Sequence, residues 1–154
     1  MKHRVISYVF VIFLLFTCVF PANAAVQPTS EEDIIYLDNG DYIKVYTVTY
    51  NIRATNTCSG QKVYDYYDAN DVLCWKAVLT ATFTYTGTSA ACTGGNCRVT
   101  IYDNTWHEIS NVTTIQGNAA TTALSMDRKV LGLTVRSEDC TIRLTCDKYG
   151  ILHG

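Results

Sequence analysis

Val72-Leu73-Cys74-Trp75-Lys76-Ala77-Val78-Leu79-Thr80-Ala81-Thr82-Phe83-Thr84-Tyr85 is the stretch on which the fold turns. In an extended chain successive side chains point to opposite faces. Read at that period, Trp75, Ala77, Leu79, Ala81, Phe83 and Tyr85 share one side, and Lys76, Val78, Thr80, Thr82, Thr84 and Thr86 share the other. The first side belongs in a core and the second on a sheet surface. No stretch beyond the N-terminal leader sustains an apolar 3.6 period long enough for an ordinary helix.

The same period extends in both directions from this strand. On its N-terminal side, Asp68-Ala69-Asn70-Asp71 supplies Asx-turn chemistry between it and a strand over Lys62 to Tyr67. Tyr42 to Arg53, rich in Tyr, Val, Ile and Thr, suits a long strand. Asn39-Gly40 before it offers the φ > 0 formers of a type I′ hairpin turn, pairing it with Ile34 to Asp38. On the C-terminal side the sequence predicts strands over Arg98 to Tyr102, Trp106 to Ile115, Ala119 to Met126, Lys129 to Arg136 and Thr141 to Cys146. Asp103-Asn104, Gly117-Asn118 and Asp127-Arg128 separate them. Turn signals at this spacing predict an all-β domain of about eight strands, an antiparallel β-sandwich of Ig-like or jelly-roll-like kind.

The chain opens with Lys2, His3 and Arg4, then an apolar run from Val5 to Phe16 with no charge until Glu31. That run is shorter than the roughly 20 residues of a membrane span. Pro21 and Ala22-Asn23-Ala24 follow as a signal-peptidase pattern. The expectation is a signal peptide over 1–24, a flexible lead-in over 25–33 where Ser30 and Asp33 could cap one helical turn, and one domain over 34–154. Cys18, in Leu15-Phe16-Thr17-Cys18, loosely matches a lipoprotein site, but Phe16 and Thr17 fit it poorly. Loss of Lys2 and Arg4 with the leader moves the formal net charge from −2 to about −4. A mildly acidic chain without a basic run has no electrostatic footprint for nucleic acid, and without its leader it holds no segment for stable membrane insertion.

Removing Cys18 leaves Cys58, Cys74, Cys92, Cys97, Cys140 and Cys146, an even set that in an exported domain reads as disulfides. Cys92-Thr93-Gly94-Gly95-Asn96-Cys97 has glycines to turn on, so a Cys92–Cys97 bridge across a loop is the specific expectation. Cys140 and Cys146 lie about 20 Å apart if they share a strand, beyond the roughly 7 Å that a bridge spans. Each would reach elsewhere, to Cys58 and Cys74 in an order the sequence leaves open. Zinc is disfavoured by the absence of a C-x-x-C pair and by His107 and His153 being the histidines that remain.

Few side chains suggest chemistry. His107 lies near Asp103 and Glu108 but lacks a nucleophile, and Ser110, Ser125 and Ser137 have no G-x-S-x-G context. Asp65, Asp68, Asn70 and Asp71 could attract calcium, yet the EF-hand order is missing and an Asx turn accounts for them. Thr80, Thr82, Thr84, Thr86 and Thr88 form a T-x-T row of the sort used for ice binding, but on one strand only. Asn111-Val112-Thr113 is a glycosylation sequon. Tyr42, Tyr46 and Tyr50 share a strand face with Lys44 and Val48, and Tyr64, Tyr66 and Tyr67 follow in the next hairpin. Tyrosines among polar neighbours make a platform for a sugar ring or a protein partner, against the plainer reading in which the rings pack over the sheet.

Three segments, Tyr50 to Thr57, Leu73 to Gly87 and Arg128 to Val135, are similar to a family of small exported proteins of Gram-positive, clostridia-like bacteria known only as a domain of unknown function. The similarity runs from about Gly40 to Tyr149. It implies a bacterial host, an extracellular or envelope location and the Cys92–Cys97 pair, with Cys58 as an addition; it implies no activity. The expectation from all of this is a secreted, non-enzymatic domain without metal or cofactor. It would bind a glycan, cell-wall or protein partner through Tyr42, Tyr46 and Tyr50, with a secreted antibacterial or toxin-like factor as the alternative.

Overall fold

The computed structural model describes residues 32–50 and 56–154. The expected leader, Cys18, most of the lead-in and the continuation of the second strand through Asn51, Ile52 and Arg53 lie outside them. Within them the chain is all-β: β1 Asp33–Tyr36, β2 Tyr42–Tyr50, β3 Thr57–Tyr67, β4 Leu73–Tyr85, β5 Ala90–Ile101, β6 Trp106–Gln116, β7 Ala119–Val130, β8 Leu133–Cys146 and β9 Leu152–His153. There are nine strands rather than about eight. Antiparallel pairing in chain order makes a five-stranded sheet, β1 to β5, and a four-stranded sheet, β6 to β9.

Alternation in β4 places Trp75, Ala77, Leu79, Ala81 and Phe83 at 0–1% exposure. They join one buried cluster with Ile43, Val45 and Tyr66 from the same sheet and Trp106, Ala120, Leu124, Met126, Ile142 and Leu144 from the other. Tyr66 stacks on Trp75 with centroids 5.0 Å apart, and both meet Trp106 edge-on.

Three corrections concern turns and ends. Asn39-Gly40 does close a hairpin, but Gly40 alone has positive φ; Leu37 N–H donates to Asp41 O and Gly40 N–H to Leu37 O, a type I turn followed by a left-handed residue. Asp71 and Gly150 occupy the same left-handed position in the β3–β4 and β8–β9 turns. The two-residue turn with positive φ at both positions falls at Leu131-Gly132 instead. Accordingly Asp127-Arg128 is interior to β7, and the two strands expected over Lys129 to Cys146 are largely one, β8. Asp33, expected in the lead-in, already pairs with Val45.

The larger correction concerns the cysteines. The six described cysteines are free thiols in the structure, with no pair of sulfurs at bonding distance. The expected Cys92–Cys97 loop is the middle of β5, with Cys92 opposite Phe83 and Cys97 opposite Leu79. Five residues of strand span about 16 Å, which no disulfide bridges. Gly95 serves packing rather than a turn: a Cβ there would sit 3.2 Å from the Ala120 Cβ of the facing sheet. Cys140 and Cys146 do share β8.

Candidate functional site

The register assigns every outward side chain of the five-stranded sheet. Antiparallel partners directly opposite one another share a face. Tyr42 lies beside Tyr67; Lys44, Asp65 and Lys76 form the next row; then Tyr46, Val63, Val78 and Arg98; then Val48, Gln61, Thr80 and Asn96; then Tyr50, Ser59, Thr82 and Gly94. The tyrosine stripe and the threonine row, on β2 and β4, thus belong to one surface with β3 between them. The row itself is shorter than the sequence suggested: Thr86 and Thr88 leave it for the β4–β5 connection, where their hydroxyls bond each other at 3.0 Å.

Tyr42, Tyr46 and Tyr50 are each half-buried, and their hydroxyls are held. Tyr42 donates to Asp71 (2.9 Å), Tyr46 to Asp65 (3.3 Å) and Tyr50 to Gln61 (2.9 Å). The chain of contacts continues across the sheet. Lys76 pairs with Asp65 at 3.3 Å, Gln61 donates to Thr80 at 3.1 Å, and Ser59 bonds Thr82 at 3.0 Å. At one end Tyr42 stacks on Tyr67, centroids 5.0 Å apart and planes 8° from parallel, with Tyr36 tilted alongside at 6.0 Å and the Lys44 ammonium 5.3 Å from the Tyr67 ring. Desolvation and the bond to Asp71 push the Tyr42 phenol up to about 12. Desolvation, then the charge of Asp65, raises that of Tyr46.

Asp65 is the unusual member. Its side chain is only 8% exposed although it sits on the outward face, and Oδ1 is buried without a hydrogen-bond partner. Buried carboxylate oxygens are ordinarily paired, and among the described residues Asp65 Oδ1 has no such partner.

Other sequence candidates separate. Tyr64 and Tyr66 face inward, opposite Ala77 and Trp75. The Asp68 carboxylate accepts from the backbone N–H of Asn70 and Val72, both at 2.9 Å, and the Val72 bond chiefly lowers its pKa; this is the Asx turn, with Asp71 committed to Tyr42 and Asp65 to Tyr46 and Lys76. His107 is exposed opposite Asp127, while Asp103 binds Thr105. The Asn111 amide donates to Cys97 O at 3.1 Å.

Sequence reasoning missed two groups. The first is Tyr36, which completes the aromatic end of the surface beside Tyr42 and Tyr67; the sequence names Tyr67 with the hairpin tyrosines without separating it from the inward Tyr64 and Tyr66. The second group lies between the sheets. Asp41 accepts from Tyr66 Oη and Arg136 Nη1, both at 2.6 Å, and from the Ala69 N–H at 2.9 Å, while Arg136 also binds Glu138. No sequence signal links residues 95 positions apart.

Comparison with family models and with curated proteins finds no match. Among solved structures the chain is similar to a hypothetical protein from Listeria monocytogenes EGD-e, at 14% identity and a TM-score of 0.44, over 84% of this chain and 94% of that one.

Proposed function

We propose that the protein is an exported, non-enzymatic β-sandwich that binds a carbohydrate polymer of the cell envelope or its surroundings on the outward face of β2, β3 and β4. The sandwich reading rests on one buried cluster drawn from both sheets, and export rests on the leader pattern. The observation that carries the binding reading is the composition of that one surface. Stacked and half-buried tyrosines stand beside a cross-strand network of Asp65, Lys76, Gln61, Thr80, Ser59 and Thr82. Aromatic faces take the apolar faces of sugar rings, and fixed polar groups can exchange hydrogen bonds with hydroxyls at little cost in ordering.

The test is retention on insoluble cell-wall glycan of the wild type and of a Tyr42→Ala/Tyr46→Ala/Tyr50→Ala variant whose far-UV spectrum shows that it is folded. The wild type is expected to be retained and the variant to lose at least tenfold in bound fraction. Equal retention of both, or of neither, removes the reading.

A further inference from the structure

Cys58 and Cys146 lie 88 residues apart in sequence and in different sheets, yet their sulfur atoms are 3.3 Å apart. Both are buried, Cys58 at 4% and Cys146 at 1% exposure. Each is held from its own side. Cys58 lies opposite Phe83 in the β3–β4 ladder, next to Gly60, where a Cβ would collide with Leu152 at 2.2 Å, so β9 and its neighbour β8 close tightly over this end of β3. Cys146 ends β8; its N–H donates to Asn118 O at 3.1 Å and its carbonyl accepts from Asn118 Nδ2 at 2.7 Å, which locks it to the β6–β7 turn. Among the other described cysteines, Cys74 Sγ donates to Val72 O at 3.5 Å and Cys92 Sγ to Gly94 O at 3.4 Å.

From this geometry we infer that Cys58 and Cys146 are a cross-linking site, at which oxidation joins β3 of the five-stranded sheet to β8 of the four-stranded sheet by one disulfide. A bonded pair needs sulfurs about 2.05 Å apart, and these already lie at 3.3 Å, in van der Waals contact. The sequence left the partner of each cysteine open; the fold selects this pair.

The chemistry is thiol–disulfide exchange with a disulfide oxidant, either a small-molecule disulfide or an oxidoreductase in its disulfide form. One cysteine thiolate attacks the oxidant and releases one thiol; the second cysteine then displaces the other. Two protons and two electrons leave the protein, one S–S bond forms in it, and the oxidant's S–S bond becomes two thiols. Burial, then the contact with Cys58, pushes the Cys146 thiol up to about 12, and burial raises Cys58. Thiols so disposed react poorly once the sheets have closed, which places the exchange during folding. The inference is independent of what the tyrosine surface binds.

The experiment refolds reduced, full chain in a glutathione redox buffer, blocks free thiols, and maps non-reduced peptides by mass. A peptide joining Cys58 to Cys146 is expected. Reductant should then lower the melting midpoint by an amount on the order of 10 °C in the wild type but not in a Cys58→Ser/Cys146→Ser variant. A map that joins either residue to another cysteine, or a natively folded product with both thiols free after oxidative refolding, overturns the inference. The map uses wild type alone, so it stands even if the variant does not fold.

Discussion

Two carboxylates of the five-stranded sheet region, Asp41 and Asp65, are almost equally hidden, with side chains 9% and 8% exposed, and they do opposite things. Asp41 faces the space between the sheets. Its oxygens take Tyr66, Arg136 and the Ala69 N–H, and Arg136 comes from β8, so the cluster ties one sheet to the other. Asp65 faces outward. Its partners, Tyr46 and Lys76, come from β2 and β4 of its own sheet, and one oxygen has none. A saturated carboxylate between layers is a clamp across the sandwich; one on the outward face, among rings and hydroxyls, is tied only within its own sheet. Position relative to the layers, more than burial, separates the two.

That contrast can be broken most directly by truncation. Asp41→Ala leaves Arg136 and Tyr66 without their shared partner between the sheets, and is expected to cost about 3 kcal/mol in denaturant unfolding. Asp65→Ala is expected to cost only about 1–2 kcal/mol, because Lys76 is 30% exposed and can re-solvate, yet it should weaken glycan retention while Asp41→Ala in its folded fraction does not. Equal costs, or glycan retention that follows Asp41, would remove the distinction.

Alkaline titration sharpens it further. Tyr66 has its pKa raised above 10.0, first by burial and then by donation to Asp41; Tyr46 is raised by burial and then Asp65. A phenol whose folded pKa exceeds its unfolded value contributes stability that is complete below pH 10 and is lost as pH climbs toward the folded value. Stability should therefore fall above pH 10. Tyr66→Phe should flatten that limb more than Tyr46→Phe, the smaller effect, since Tyr66 is fully buried and Tyr46 half-buried. Chemical denaturation at a series of pH values from 8 upward reads both slopes; identical slopes for the two variants would contradict the assignment.

Much of this was legible beforehand because alternation is a local property. The inward set of β4 and the shared face of Tyr42, Tyr46 and Tyr50 follow from counting by two. Misreadings arose where one residue type serves two purposes. Gly94-Gly95 reads as a turn, but here Gly95 lets β5 approach Ala120. The polar run Ser137-Glu138-Asp139 reads as a break between strands, yet it lies inside β8, with Glu138 turned inward to Arg136 and Ser137 donating to Asp127 at 2.7 Å. Leu131, 98% exposed, places an apolar residue with positive φ in a two-residue turn, at a position that no turn-forming residue type signals.

By itself the sequence determined that these residues form strands and which side chains of each strand go together, since the period of two is set by backbone sterics and needs no distant partner. Only the tertiary structure decided which faces meet. It brought Asp41 to Arg136, Cys58 to Cys146 and the tyrosine stripe to the threonine row, because strand order and sheet facing depend on packing between residues far apart in the chain, where no local rule reaches.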